Sequence, residues 1–194
     1  MSEPEISTPD EFSLCGHFLI AMPNMLDPSF AGSVVYMCEH SSKGAMGLVI
    51  NRPTDLGIAA LLDKIELNIE TELQDHFPVM AGGPVAAERG FVLHTAPLHW
   101  NSSLPVNDRI SLTTSKDILE AVAKGQAPEQ WLITLGYAGW GEGQLEQELA
   151  QNAWLTVPAN DEILFNMPLE ERFASAYGLL GIDPCLLTGA AGHA

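Results

Sequence analysis

Three short apolar runs fill most of the first fifty residues, and residues that turn the chain separate them. The runs cover 16–21, 33–38 and 46–50, and all three are rich in β-branched, aromatic or other bulky apolar side chains. Runs of this length, flanked by glycine, proline or serine, are typical of buried strands. The spacer 41–44 reads Ser-Ser-Lys-Gly, which predicts that the second and third runs form a hairpin.

Further strand and helix signals follow in an irregular order. Strands are predicted at 79–81, 90–94, 110–113, 130–135 and 154–157, and helices at 55–64, 70–76, 114–124, 144–151, 161–165 and 168–180. Segments 96–108 and 136–143 are predicted to be loops because turn-forming residues or glycines dominate them. Strands come in clusters and do not alternate one by one with helices. This order excludes a doubly wound parallel sheet and predicts a mixed α+β fold with much antiparallel pairing.

The composition indicates one globular domain. The chain has 194 residues, of which 46% are hydrophobic and 17% charged, and no apolar run reaches the length of a membrane span. Residues 12–194 are predicted to form a single domain behind an acidic, disordered tail at 1–11. That tail lacks the basic start of a secretory signal, so we expect a cytoplasmic protein with no membrane association.

Acidic residues outnumber basic ones by a wide margin. The sequence contains 8 Lys and Arg against 25 Asp and Glu, a formal net charge of -17. Nucleic-acid binding depends on cations that displace counterions from phosphates, so direct DNA or RNA binding is not expected. A surface of this sign instead favours a protein partner with a basic surface.

Cysteines and histidines are scattered along the chain. Cys15, Cys38 and Cys185 form no C-x-x-C pair, which predicts reduced thiols that pack as small side chains. A reactive thiol is the alternative, and Cys38, beside Glu39 and His40, is its best candidate. No pair of histidines has metal-ligand spacing. The alternative is a metal site assembled in space from His17, His40 and His94.

Three glycine- or arginine-containing segments end predicted strands. Gly139–Gly143 is more consistent with a tight turn covered by Trp140 than with a phosphate loop, since it lacks the lysine and hydroxyl residue of one. Arg52 either neutralises an internal carboxylate or recognises an acidic group on a ligand or partner. Gly82–Pro84 predicts a sharp reversal whose backbone amides are available to line a cleft.

Several of these segments together resemble one bacterial family, the AlgH/YqgE family. They lie in the expected order along residues 16–194: Gly16–Pro23, Gly44–Pro53, Gly82–Val85, Leu135–Glu148 and Gly192–Ala194. The resemblance implies an α+β domain whose mixed, largely antiparallel, branched sheet wraps into a pseudo-barrel with flanking helices. It implies no catalytic residue, metal or cofactor, and we found no helix-turn-helix that would support its label of transcriptional regulator.

Two hypotheses about function follow. The first is a non-enzymatic regulatory or protein-binding module, because no nucleophile is paired by motif with a base. The second is a small-ligand binder or enzyme with a site near the loops at 82–84 and 139–143, built with Asn51–Arg52 and with His17 or His94. A nucleic-acid-associated regulator ranks behind both hypotheses. The sequence does not indicate an oligomeric state. The residues that we predict to bind a ligand or partner are Asn51, Arg52, Gly82, Gly83, Tyr137 and Trp140.

Overall fold

A computed structural model describes residues 12–72, 78–95 and 100–181. Within these ranges nine strands form one sheet: β1 His17–Ala21, β2 Val34–Ser41, β3 Gly44–Val49, β4 Met80–Ala81, β5 Val85–Thr95, β6 Ser103–Pro105, β7 Ile110–Thr113, β8 Trp131–Trp140 and β9 Trp154–Pro158. The helices are α1 Ile58–Lys64, α2 Asp117–Ala123, α3 Gln144–Ala150 and α4 Leu169–Leu179, with a π-helical turn at Glu162–Asn166 before α4. In these ranges no helix combines the length and the apolar character needed to cross a bilayer.

The sheet is branched around β8. Its strand order is β6-β7-β5-β8-β3-β2-β1-β9, and β4 adds to β8 outside this path. The first half of β8 pairs with β5 and β4, whereas its second half pairs with β3. All pairs are antiparallel except β4 with β8. The sheet curls into a half-barrel flanked by helices, which confirms the α+β pseudo-barrel.

Both faces of the first strands are buried, which explains why their sequences are continuously apolar. Phe18 and Ile20 of β1 point into the barrel interior, where one cluster joins side chains from both ends of the sheet with α4 and the π-helical turn. Leu19 and Ala21 point to the other face, into a second cluster with β9 and α3. A third cluster lies under α1 and α2. A strand covered on two faces loses the polar alternation of a half-exposed one.

The hairpin prediction for 33–50 is confirmed, but β8 is longer than the sequence indicated. Residues 136–140, predicted to be loop, continue β8: Tyr137 pairs with β5, and residues 138–140 pair with β3. Gly136 adopts φ +76°, a left-handed conformation that shifts the strand without ending it. Gly83 packs directly on this stretch, because a Cβ on Gly83 would lie 2.1 Å from the carbonyl carbon of Tyr137. The glycines here permit close backbone contact.

Several other boundaries differ from the prediction. Ser103–Pro105, inside the predicted loop 96–108, pairs with β7 as the edge strand β6, where a proline is tolerated. Helix α2 starts at Asp117 and not at 114 as predicted, and the Asp117 carboxylate accepts from the Ser115 hydroxyl and the Asn101 backbone N–H. Residues 70–72 are not helical. The rest of the helix predicted there, the tail 1–11 and the segments from 182 onward lie outside the described residues.

Two polar side chains on the buried side of helix α4 hold the helix against the sheet. Arg172 is fully buried and donates to the carbonyl oxygens of Met167 (2.9 Å) and Ile50 (2.7 Å). Burial lowers the pKa of its guanidinium to about 10. The Tyr177 hydroxyl donates to the carbonyl oxygen of Ala21 at 3.0 Å. These bonds tie α4 to the ends of β1 and β3.

Candidate functional site

An open cleft of about 640 Å³ lies at the mouth of the half-barrel. Its walls come from β2 and β3 on one side, β6 and β7 on the other, and β5 and β8 between them. The mouth of a β-barrel is a common place for a ligand site, and this volume is within the range of about 300–1,000 Å³ typical of such sites. The cleft is therefore the candidate binding site.

Two cations stand at the rim of the cleft. Lys43, in the β2–β3 turn, and Arg89, on β5, are both exposed and both line it. The Arg89 guanidinium lies 5.7 Å from the centre of the Phe91 ring, within range of a cation–π contact. Glu39 is the acidic residue among the lining side chains. In a chain with 8 Lys and Arg, a rim with two cations against one carboxylate is locally basic.

The floor of the cleft is aromatic and aliphatic. The rings of Phe91 and Tyr137 meet edge to face with centroids 5.5 Å apart, and Met46 and Leu112 pack beside them. Leu104 of β6 is 60% exposed, a large apolar side chain left facing solvent at the wall. An aromatic floor below charged rim groups suits a ligand with an apolar body and a polar end.

Local irregularities of the strands open this space. The pairing of β5 with β8 shifts between Val85 and Gly90, and Ala86 in this bulge has φ +47°. A bulge lets β5 present Arg89 toward the cleft while the strand continues into the core. Gly139 faces the same side as Tyr137 and has no side chain to fill the space beside its ring.

A smaller recess of about 120 Å³ continues inward from the cleft. The two cavities share four lining residues: Glu39, Met46, Leu104 and Leu112. Cys38, Pro105 and Val106 line the recess alone. The recess is therefore mostly apolar, and it lies where β6 closes over β2.

Asn51 and Arg52 lie away from this cleft and bind backbone. The Asn51 side chain accepts from the Val34 N–H and donates to the Gly32 carbonyl, both at 2.9 Å. The Arg52 guanidinium donates to the carbonyl oxygens of Ser29 and, at 2.7 Å, Ala31. Both interpretations of Arg52 from the sequence invoked a carboxylate or another acidic group, whereas the structure shows it fastening the loop before β2.

The remaining predicted residues divide between backbone packing and the cleft. A Cβ on Gly82 would lie 2.4 Å from the Gly136 carbonyl oxygen, so Gly82 and Gly83 serve the contact with β8 and do not line the cleft. Tyr137 and Trp140 do line it. Asn51–Arg52, His17 and His94, which the predicted composite site also included, are not among the residues that line the cleft. The cleft nevertheless adjoins both predicted loops through Val85 and Gly139.

Trp140 also belongs to a closed aromatic cluster on the other face of the sheet. Its ring stacks on Phe30 at 6.1 Å and meets Trp154 edge to face at 6.0 Å. One carboxylate oxygen of Glu148 accepts from both indole N–H groups, at 3.2 Å from Trp140 and 3.1 Å from Trp154. Of the predicted turn Gly139–Gly143, Gly139 and Trp140 belong to β8, and residues 141–143 connect it to α3, where the Gly141 N–H donates to the Gln144 side-chain oxygen at 3.0 Å.

The cysteine and histidine alternatives gain no support from the geometry. Cys38 is buried, and burial raises the pKa of its thiol far above the ordinary value, which keeps it protonated and unreactive. Cys15 and Cys38 are free thiols. Within the described ranges no group of three histidine, cysteine or carboxylate residues is placed to hold a metal ion. Cys185 lies outside those ranges.

His40 and His94 are structural. His40 Nδ1 accepts from the Leu14 N–H at 3.0 Å, so the ring donates from Nε2 to Glu146 at 2.6 Å. That hydrogen bond lowers the pKa of Glu146. His94 is fully buried between the Thr95 carbonyl (2.9 Å) and the Thr113 hydroxyl (2.6 Å), and burial lowers its pKa.

Sequence reasoning missed Lys43, Arg89 and Leu104. Each is isolated in the sequence, and the curl of the sheet brings the β2–β3 turn close to β5 and β6. The sequence signal that could have indicated Lys43 and Arg89 is the small number of cations, since each lysine or arginine in so acidic a chain is a candidate for binding an anionic group.

Comparison with known proteins identifies the family. A profile described as DUF179, AlgH-like, matches residues 18–185. A UPF0301 protein of Cupriavidus metallidurans is 59% identical over 182 residues, covering 94% of this chain and 96% of the relative. A UPF0301 protein of Ralstonia nicotianae is 56% identical over 190 residues, covering 97% of this chain and all of the relative.

Solved structures agree with this assignment. The solution structure of the AlgH protein from Pseudomonas aeruginosa is 48% identical, covers both chains fully and superposes with a TM-score of 0.75. The crystal structure of a protein from Corynebacterium diphtheriae, at 19% identity and a TM-score of 0.63 over 80% of this chain and 81% of that one, shares the fold. The profile, the relatives and the Pseudomonas structure together place this chain in the AlgH-like family.

Proposed function

We propose that this protein is a non-enzymatic binding module whose cleft takes a small ligand with an acidic group and an apolar body. The observation on which the proposal rests is the placement of Lys43 and Arg89 above an aromatic floor in a chain of net charge -17. This is the small-ligand hypothesis from the sequence, with the site now at the mouth of the half-barrel and not at Asn51–Arg52.

The chemistry of the lining supports recognition. Guanidinium and ammonium groups bind a carboxylate, sulfonate or phosphate, and the half-buried Tyr137 ring and the exposed Leu104 offer apolar surface to the body of the ligand above the buried Phe91. The buried Cys38 thiol is kept protonated, which argues against a nucleophile in the recess. Free thiols at Cys15 and Cys38 are typical of a reducing compartment, so we also propose a cytoplasmic location.

A fluorescence titration with 1-anilinonaphthalene-8-sulfonate tests the proposal, since this probe combines a sulfonate with an aromatic body. We expect saturable one-to-one binding to protein that retains its near-ultraviolet circular dichroism. Exposed ion pairs contribute about 0.2–1 kcal/mol, so Lys43→Gln and Arg89→Gln should each weaken binding by up to about fivefold. Glu39→Gln should strengthen it, because it removes the carboxylate at the rim.

Lys64→Gln is the matched control, since Lys64 ends α1 and does not line the cleft. It should leave the affinity unchanged. The proposal is wrong if the folded wild type does not bind the probe, or if Lys64→Gln weakens binding as much as Lys43→Gln does.

A second candidate function rests on the net charge of -17, which favours a protein partner with a basic surface. Such binding should weaken steeply between low and physiological salt, because exposed charges are screened beyond about 8 Å at 0.15 M. An affinity pull-down at the two salt concentrations tests it. Recovery of no specific partner at either concentration would count against this candidate.

A further inference from the structure

We infer that the ligand is a monomeric amphiphile, a short- or medium-chain carboxylate, whose acidic group lies at Lys43 and Arg89 and whose alkyl chain enters the recess beneath β6. This inference rests on the proposed function and names the chemistry of its ligand. It depends on the recess behind the cleft, which a flat aromatic ligand at the rim would leave empty.

The recess is small and mostly apolar. It measures about 120 Å³, against about 640 Å³ for the cleft. Six of its seven lining residues have apolar or thiol side chains, and Cys38, which is 7% exposed, lies on its inner wall. The protonated thiol of Cys38 adds no charge there. A narrow, weakly polar space of this kind favours methylene groups over polar ones.

Continuity between the two cavities sets the order of groups along the ligand. Met46, Leu104 and Leu112 line both, so an apolar chain that starts on the cleft floor keeps apolar contacts all the way inward. The cations Lys43 and Arg89 line only the outer cavity. The acidic group therefore stays at the mouth while the far end of the chain is buried.

The size and the charge both favour one free molecule as the occupant. A small recess holds only a few carbon atoms of a single chain, and the surface around the cleft belongs to a chain of net charge -17, which an anionic membrane would repel. A free carboxylate carries a single negative charge, which Lys43 and Arg89 can pair with locally, whereas a membrane presents many anionic groups to the whole acidic surface.

A chain-length series tests the inference. Butyrate, hexanoate, octanoate and decanoate, each below its micelle concentration, are titrated into the full chain and followed by displacement of anilinonaphthalene sulfonate and by calorimetry. We expect the dissociation constant to fall about fourfold for each methylene added, as burial of a methylene predicts, until the recess is full. Octanol, which lacks the acidic group, should bind more weakly than octanoate.

Two variants at Val106 isolate the recess, because Val106 lines it and does not line the cleft. Val106→Phe should fill the recess and remove the gain from longer chains, while the sulfonate probe still binds. Val106→Ala should enlarge it, so that the gain continues to a longer chain. The second variant keeps the test decisive if the first one folds poorly.

The outcomes separate this inference from the proposed function. If the probe binds but affinity does not depend on chain length, or depends on it equally in Val106→Phe, the inference is overturned and the cleft proposal stands. If neither the probe nor any carboxylate binds, the proposed function fails with it. Binding to anionic phospholipid vesicles without binding to free octanoate would also overturn the inference, in favour of a membrane surface.

Discussion

Two aromatic regions of this protein share Trp140 but differ in what covers them. On one face of the sheet, Phe30, Trp140 and Trp154 close on one another, and Glu148 accepts from both indole N–H groups. On the other face, Phe91 and Tyr137 form the floor of an open cleft. The closed region has its hydrogen-bonding groups paired within the chain. The open one presents apolar and cationic groups to solvent, as a binding surface does.

The comparison teaches that aromatic residues alone did not mark the site. Trp140 was predicted as a binding residue, yet most of its contacts are structural, and it is only 6% exposed. The lysine and arginine at the rim distinguish the open region from the closed one. We therefore expect substitutions in the closed region to change stability, and substitutions in the open region to change binding.

The largest expected effect is in the closed region. Trp154→Ala should lower the free energy of unfolding by about 3–5 kcal/mol, because it removes a buried indole and leaves a cavity beside Phe30. Urea denaturation measures the change. Probe binding in the cleft should persist wherever the variant is folded, and Trp154→Phe is the milder substitution if the alanine variant does not fold. Loss of probe binding in a folded variant would show that the regions are not separate.

In the open region, Leu104→Ser should weaken binding of the fluorescent probe by about fivefold, since partial burial of a leucine against a ligand contributes about 1 kcal/mol. Stability should change little because Leu104 is 60% exposed. Leu26→Ser is the matched control: Leu26 is 93% exposed and does not line the cleft. Equal effects of the two substitutions would mean that the probe reads general surface hydrophobicity.

Two buried tyrosines test how much a hydrogen bond from a buried hydroxyl contributes to stability. The Tyr177 hydroxyl donates to Ala21, so Tyr177→Phe should cost about 1 kcal/mol of unfolding free energy. The Tyr36 hydroxyl is buried and has no hydrogen-bond partner among the described residues, so Tyr36→Phe should be neutral or stabilising. Thermal and urea unfolding measure both. Destabilisation by Tyr36→Phe equal to that of Tyr177→Phe would contradict the assignment.

The last expected effect concerns pH. Burial lowers the pKa of His94 below its ordinary value of 6.5, so the folded chain favours the neutral ring. Below about pH 6.5 the unfolded chain binds the proton more readily, and stability should fall as pH decreases, by at most about 1.4 kcal/mol per pH unit from this group. Unfolding of the wild type and His94→Gln between pH 7.5 and 5 tests this. Parallel profiles would show that His94 does not contribute.

The parts of the fold that local pattern determines were predictable. The β2–β3 hairpin follows from two apolar runs about a four-residue turn. Asn160, a residue type that favours helix N-termini, caps the π-helical turn by accepting from the Glu162 and Ile163 N–H groups. The extension of β8 was not predictable, since Gly136 and Gly139 resemble loop residues until Gly83 and β3 are packed against them.

The candidate site was less predictable for a related reason. Tyr137 and Trp140 were identified because they lie in a glycine-rich segment, but Lys43, Arg89 and Leu104 come together only through the order of strands in the sheet. Asn51 and Arg52 have the polar side chains of a functional strand end. Their hydrogen bonds go to the backbone of the preceding loop, which no local pattern reveals.

Amide chemical-shift mapping during titration with octanoate and with anilinonaphthalene sulfonate tests the central claim most directly. We expect saturable shifts concentrated at Lys43–Met46, Arg89–Phe91 and Tyr137–Gly139, with additional shifts near Cys38 and Val106 for octanoate only. Residues around Trp154 and Tyr177 should remain unchanged. Shifts centred on the Trp154 cluster, or absent from the cleft at saturating ligand, would contradict it.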